Sequence, residues 1–144
     1  NIHALIVDDS GIMRKMVMRT LREADLANFT FTEAGDGVEA LEKFDPKVHN
    51  MLFVDWNMPN MNGIDLIRKI RSSEKHHVPI VMITTESTMG KMDEAMSEVN
   101  VDKYIAKPFT AEGLQQRLGP LFEQLAAGQK KSKGFFGKLS SALS

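Results

Sequence analysis

Four times along this chain a short apolar run stops at a polar residue. Residues 4–7 run into Asp8 and Asp9, residues 51–54 into Asp55, residues 80–83 into Thr84, and residues 104–106 into Lys107. Runs of this length without a polar face fit strands buried on both sides. A fifth stretch alternates Phe29, Phe31 and Glu33 with threonines, the pattern of a strand with one wetter face. Between the runs the apolar spacing changes to that of helices. Ile12, Met13, Met16, Val17, Leu21 and Ala24 form one stripe; Ile64, Ile67 and Ile70 a second; Met89, Met92, Met96 and Val99 a third; Leu114, Leu118, Leu121 and Leu125 a fourth. A shorter helix through Leu41 and Phe44 is opened by Asp36 and Glu39, which have capping-box spacing, and stopped by Pro46. Ser10 and Thr110 stand where helix caps are needed.

Five strands alternating with helices imply a doubly wound α/β fold, with a parallel sheet covered on both faces. The strand order 2-1-3-4-5 is adopted by analogy with other sheets of this class. In any parallel sheet the carboxyl ends of the strands share one edge, where such folds keep their chemistry. The polar residues that end the four runs therefore converge. The adopted order sets strands one and three side by side, bringing Asp8 and Asp9 towards Asp55.

Three carboxylates that close repel unless protonated or neutralised. A hard divalent cation is the simple remedy. An all-oxygen donor set with no cysteine in the chain suits Mg²⁺ better than zinc. A lysine and a threonine at neighbouring strand ends can pair phosphoryl oxygens. A carboxylate nucleophile can accept a phosphoryl group, with the metal and the lysine spreading the transition-state charge. Taken singly, Asp8 and Asp9 could be helix caps, Asp55 a turn residue, Thr84 a strand-end hydroxyl and Lys107 a solvated lysine. All of them at matching strand ends favour the joint reading.

These residues, in this order, resemble the receiver domain of two-component response regulators. The run from Asp55 through Trp56, Asn57, Met58 and Pro59 to Asn60 and Met61, with Lys107, Pro108, Phe109 and Thr110, is similar to the single-domain chemotaxis regulators of the CheY type. The resemblance covers residues 3 to about 127 and implies a flavodoxin-like receiver over residues 1–127, followed by a tail over 128–144. It implies that Asp55 accepts phosphoryl from a histidine kinase. Asp9, Asp55 and the backbone carbonyl of Asn57 would hold Mg²⁺ directly and Asp8 through water. Thr84 and Lys107 would bind the phosphoryl group, and Lys107–Pro108 would be a cis peptide. Tyr104 would change rotamer as Thr84 is drawn to the phosphoryl group, switching a partner-binding face of the fourth helix, fifth strand and fifth helix. The implied role is a cytoplasmic signalling module in chemotaxis or motility. It would be no enzyme beyond its own phosphorylation and dephosphorylation. The alternatives are a Mg²⁺-dependent phosphohydrolase of the haloacid dehalogenase kind and a phosphorylation-independent scaffold. The first wants an aspartate where this chain has Asn57.

Composition excludes other classes. Of the 144 residues, 42% are hydrophobic and 26% charged, and the net charge is −1, so no basic field points to nucleic acid. No apolar run spans a membrane, and the N-terminus lacks a signal-peptide pattern. Three local expectations remain. Gly119–Pro120 should kink or break the last helix. The turn at Val99–Asp102 is one residue longer than in the CheY type, and Asn100 can take its left-handed position. His76 and His77 form a solvated loop rather than a metal site, and the methionine stripe belongs to the core rather than to a partner surface. The tail, residues 129–144, carries four lysines and no acid, which leaves 14 basic against 19 acidic residues elsewhere. Phe135, Phe136, Leu139 and Leu143 fall at helical spacing. The expectation is a short helix over 134–143 that docks on its own receiver, a partner or a membrane surface.

Overall fold

The computed structural model describes residues 1–73, 77–86 and 88–143, with side chains described through residue 127. Five strands, β1 (Ile2–Val7), β2 (Phe29–Ala34), β3 (Met51–Val54), β4 (Ile80–Thr84) and β5 (Lys103–Ala106), form one parallel sheet in the order β2-β1-β3-β4-β5. The helices are α1 (Gly11–Glu23), α2 (Gly37–Lys43), α3 (Gly63–Ser73), α4 (Met89–Asp93, continued by a π-turn at Glu94–Glu98) and α5 (Ala111–Leu143). The fold is the doubly wound, flavodoxin-like one that the sequence implies.

Alternation along each strand divides the core. Leu5, Val7, Leu52, Val54, Ile80 and Met82 face α2, α3 and α4, while Ala4, Ile6, Met51, Phe53, Val81 and Ile83 face α1 and α5. All residues of β3 and β4 are buried, as central strands covered on both sides must be. The edge strand β2 stays half-exposed. The caps sit where the sequence places them. Ser10 accepts from the Met13 amide, Asp36 from Glu39 and Thr110 from Gly113. Thr88 adds one at the start of α4, accepting from Lys91.

Four expectations change. Helix α5 is not broken at Gly119–Pro120; it runs on to Leu143. Proline removes one hydrogen bond there, while Leu118, Leu121 and Phe122 on either side stay buried against the sheet. The stripe on α1 is narrower than its periodicity suggests. Val17, Leu21 and Ala24 are buried, but Ile12 and Met16, one row over, are 79% and 49% exposed. The methionine stripe is not core: Met89 and Met96 are exposed and only Met92 packs on the sheet. Lastly, the segment before β5 leaves the helix through a wider turn rather than through a longer loop. Val99 donates to the Glu94 carbonyl across a π-turn, which holds more residues than an α-turn. Asn100 then takes the left-handed position, at φ 57°.

His77 bonds the Asp102 carboxylate at 2.9 Å beside Arg71, so it serves an ion-pair cluster rather than a metal. His76 lies outside the described residues, as does any burial of Phe135, Phe136 and Leu139. Among the described residues, no helix is long and apolar enough to cross a membrane.

Candidate functional site

Backbone pairing assembles the site. Val7 lies opposite Val54, and the Asp55 amide donates to the Val7 carbonyl, so the chain leaves β1 and β3 side by side. Thr84 lies opposite Ala106, and the Lys107 amide donates to the Thr84 carbonyl. Oxygens of Asp8, Asp9 and Asp55 come within 4.8 Å of one another. Asp8 and Thr84 are buried, Asp9 is exposed and Asp55 lies between. The Lys107 ammonium bridges two of the acids, at 2.8 Å from Asp8 Oδ2 and 3.1 Å from Asp55 Oδ2. Burial pulls that ammonium down, but the bonds to Asp8 and the charge of Asp55 outweigh it and raise its pKa. It stays charged at any ordinary pH.

The remaining contacts fix the carboxylates. The Trp56 amide donates to Asp55 Oδ1 at 2.7 Å and the Ser10 amide to Asp8 Oδ1 at 2.9 Å. The carbonyl of Asp8 accepts from Arg14 Nη1 at 2.6 Å, while Arg14 Nε pairs with Glu33. The turn after Asp55 closes by a very near approach. Gly63 donates to the Trp56 carbonyl, and a Cβ at Gly63 would overlap the carbonyl of Asp55. Lys107–Pro108 is cis.

On the far side of Thr84 the β4–α4 loop is fastened twice. Asn57 Nδ2 donates to Glu86 Oε1 at 2.8 Å, and the Tyr104 hydroxyl donates to the Glu86 carbonyl. The Tyr104 ring is inside, only 4% exposed. Burial, then the charges of Glu86 and Asp55, push its phenol up to about 12. The hydroxyl of Thr84 accepts from the Glu86 amide at 3.3 Å.

The structure thus brings together Asp8, Asp9, Asp55, Thr84 and Lys107, with Asn57 and Tyr104 on the rim. Sequence reading misses Arg14, although its place just after the Ser10 cap returns it to the end of β1. It also misses Glu86 as the meeting point of Asn57 and Tyr104; nothing in its position announces that. A compact acidic pocket bridged by one ammonium can take a hard cation and a doubly charged oxyanion together, because each offsets the other's repulsion.

The family model of the response regulator receiver domain matches residues 4–119. The chain is 41% identical over 126 residues to the chemotaxis protein CheY-3 of Vibrio cholerae, covering 87% of this chain and 95% of that one. It is 38% identical over 122 residues to the chemotaxis protein CheY of Pseudomonas aeruginosa, covering 84% and 96%. Among solved structures, the chemotaxis protein CheY4 of Vibrio cholerae aligns at a TM-score of 0.71 with 34% identity, over 83% of this chain and 97% of that one. A CheY-like receiver domain protein of Methanospirillum hungatei, 20% identical, shares the fold at a TM-score of 0.74, over 88% and 97%. Family model, fold and relatives agree along the same stretch: the chain belongs to the response regulator receiver domain family and resembles its CheY-type chemotaxis members.

Proposed function

We propose that this chain is a phosphorylation-controlled switch in chemotaxis or motility, with Asp55 as the phosphoryl acceptor. The observation that carries the reading is the bridging of Asp8 and Asp55 by Lys107 beside a third carboxylate, Asp9. The donor set fits Mg²⁺: three carboxylates, all oxygen, close enough together to share one hard cation. Asp9, Asp55 and the backbone carbonyl of Asn57 would hold the ion directly and Asp8 through water. Bound there, Mg²⁺ supplies charge neutralisation for phosphoryl transfer.

An Asp55 oxygen attacks phosphorus while the bond to the donor, an imidazole nitrogen of a histidine kinase, breaks and the nitrogen keeps the electron pair. The Trp56 amide holds the carboxylate in one orientation for this attack. Lys107 then shifts from the carboxylates to a phosphoryl oxygen, and the Thr84 hydroxyl donates to another. Drawn that way, Thr84 leaves room beside the Tyr104 ring, which already lies inside, and so holds it there. The change reaches α4, β5 and α5, which would form the partner-binding face. Residues 1–127 act as the receiver; the basic stretch 128–144 is an appendage for docking on the receiver, a partner or an anionic surface.

The phosphohydrolase alternative gains no support, since Asn57 stands at the acid's place and its amide is engaged with Glu86. The test is incubation with Mg²⁺ and a small phosphodonor, followed by intact mass. One phosphoryl group should appear on the wild type and none on Asp55→Asn. Equal modification of that variant overturns the assignment.

A further inference from the structure

Two consecutive residues after Asp55 touch two points of the β4–α4 junction. Asn57 holds Glu86 in the loop, and the Trp56 ring carries the ammonium of Lys91, from the first turn of α4, at 4.6 Å from its centroid. Trp56 is 5% exposed and packs in the core, so its ring is a fixed platform. Lys91 is tied to α4 by its own amide, which donates to the Thr88 cap. The other cations around the pocket are committed: Lys107 to Asp8 and Asp55, Arg14 to Glu33 and the Asp8 carbonyl. Among the described residues, Lys91 pairs with no acid. A cation on a ring is held more loosely than one in an ion pair, and it responds to charge arriving nearby.

We infer that Lys91 is a positioning residue: seated on Trp56, it couples the first turn of α4 to the charge carried by Asp55. The inference rests on Asp55 being the acceptor. Phosphorylation adds negative charge next to Trp56 in the chain, and Lys91, paired with no acid among the described residues, feels it. Its movement against Trp56 draws or releases the start of α4, where Met89 lies 87% exposed. This link runs beside the one through Thr84 and Tyr104 and uses different residues.

The chain has one tryptophan, so its emission comes from this ring and reports both the Lys91 contact and the neighbouring Asp55, and the Lys91 variants separate the two. Saturate the full chain with Mg²⁺, then titrate beryllofluoride, a phosphoryl mimic, while following emission. Compare wild type, Lys91→Arg, Lys91→Met and Lys91→Gln. The wild type and Lys91→Arg should show a clear change in emission. In both neutral variants that change should fall by about half or more, and half-saturation should rise about fivefold, the low end of ordinary coupling between sites. Rescue by arginine separates coupling from mere packing, which methionine would preserve. Neutral variants that titrate like wild type overturn the inference, as does a wild-type emission that ignores beryllofluoride. Intact mass keeps the two readings apart: if Asp55 still takes phosphoryl in Lys91→Met, failure here leaves the acceptor assignment standing.

Discussion

Asp55 is usable because of what touches it. One oxygen is pinned by the Trp56 amide and the other is balanced by Lys107, itself shared with Asp8. Lys107→Ala would leave three carboxylates facing one another without a cation. Its thermal midpoint without divalent ions should drop, and Mg²⁺ should restore more of it than in wild type, because the metal then becomes the sole counterion. The same variant should lose about tenfold or more in half-saturation by beryllofluoride, the scale of a lost charge-assisted bond. An unaltered beryllofluoride titration would remove Lys107 from the phosphoryl site. Tyr104, the chain's single tyrosine, gives a second reading. With its phenol pushed up to about 12, absorbance titration should show no ionisation near the ordinary value of 10 while circular dichroism stays native. A midpoint at 10 in the folded protein would put the ring outside. Asp8, Asp55 and Lys107 were legible in the sequence because each follows the end of an apolar run, whereas Tyr104 was singled out only through the family resemblance. Arg14 and Glu86 were not legible, because their roles depend on which neighbour the fold happens to bring.

At the level of elements, the edge of the sheet opposite the site holds an arrangement that periodicity never signalled. His49, before β3, accepts from the Asp45 amide at Nδ1, so its proton sits on Nε2, which donates to the Thr32 hydroxyl on β2. That hydroxyl also bonds His3 Nε2 on β1, at 2.8 Å. The bond from the Asp45 amide requires a neutral His49 ring, since Nδ1 must be free to accept. Burial, then the nearby His3, hold His49 below its ordinary 6.5, against a smaller opposing pull from Asp45. The folded form therefore binds fewer protons than the unfolded one. This contribution to stability is complete above pH 6.5 and declines as pH falls from there towards the depressed folded value. The thermal midpoint should fall between pH 7.5 and 5.5, and His49→Gln should flatten that fall; equal slopes would assign it to other groups. Helix α4 teaches a related lesson. Its methionines have helical spacing, but a stripe shows only that a helix has a face, not what covers it. The structure leaves Met89 and Met96 uncovered. Proline at 120 misled in the opposite sense, since the local rule was overridden by the burial of Leu118, Leu121 and Phe122.

On the scale of the whole molecule, the alternation of runs was enough for class, sheet and site edge, because burial on both faces leaves few parallel topologies. Strand order came by analogy, and the structure bears it out. Helix α5, 33 residues and therefore about 50 Å at 1.5 Å per residue, is both a wall of the receiver and the root of the basic stretch. The core cluster beneath it ends at Leu125. Removal of residues 128–144 should thus leave the thermal midpoint within about 2 °C, as surface changes do, with the beryllofluoride titration unaltered. A larger loss would mean that the tail packs on the receiver. The inward Tyr104 ring bears on signalling as a whole. Under the proposed reading, in which Tyr104 is the moving part, a ring that already rests inside raises the idle level, because a stimulus can add only the fraction of molecules not yet there. The contrast between silent and active states must then come from parts still able to move, and sensitivity to a weak signal is gained where the span between quiet and full response is narrowed.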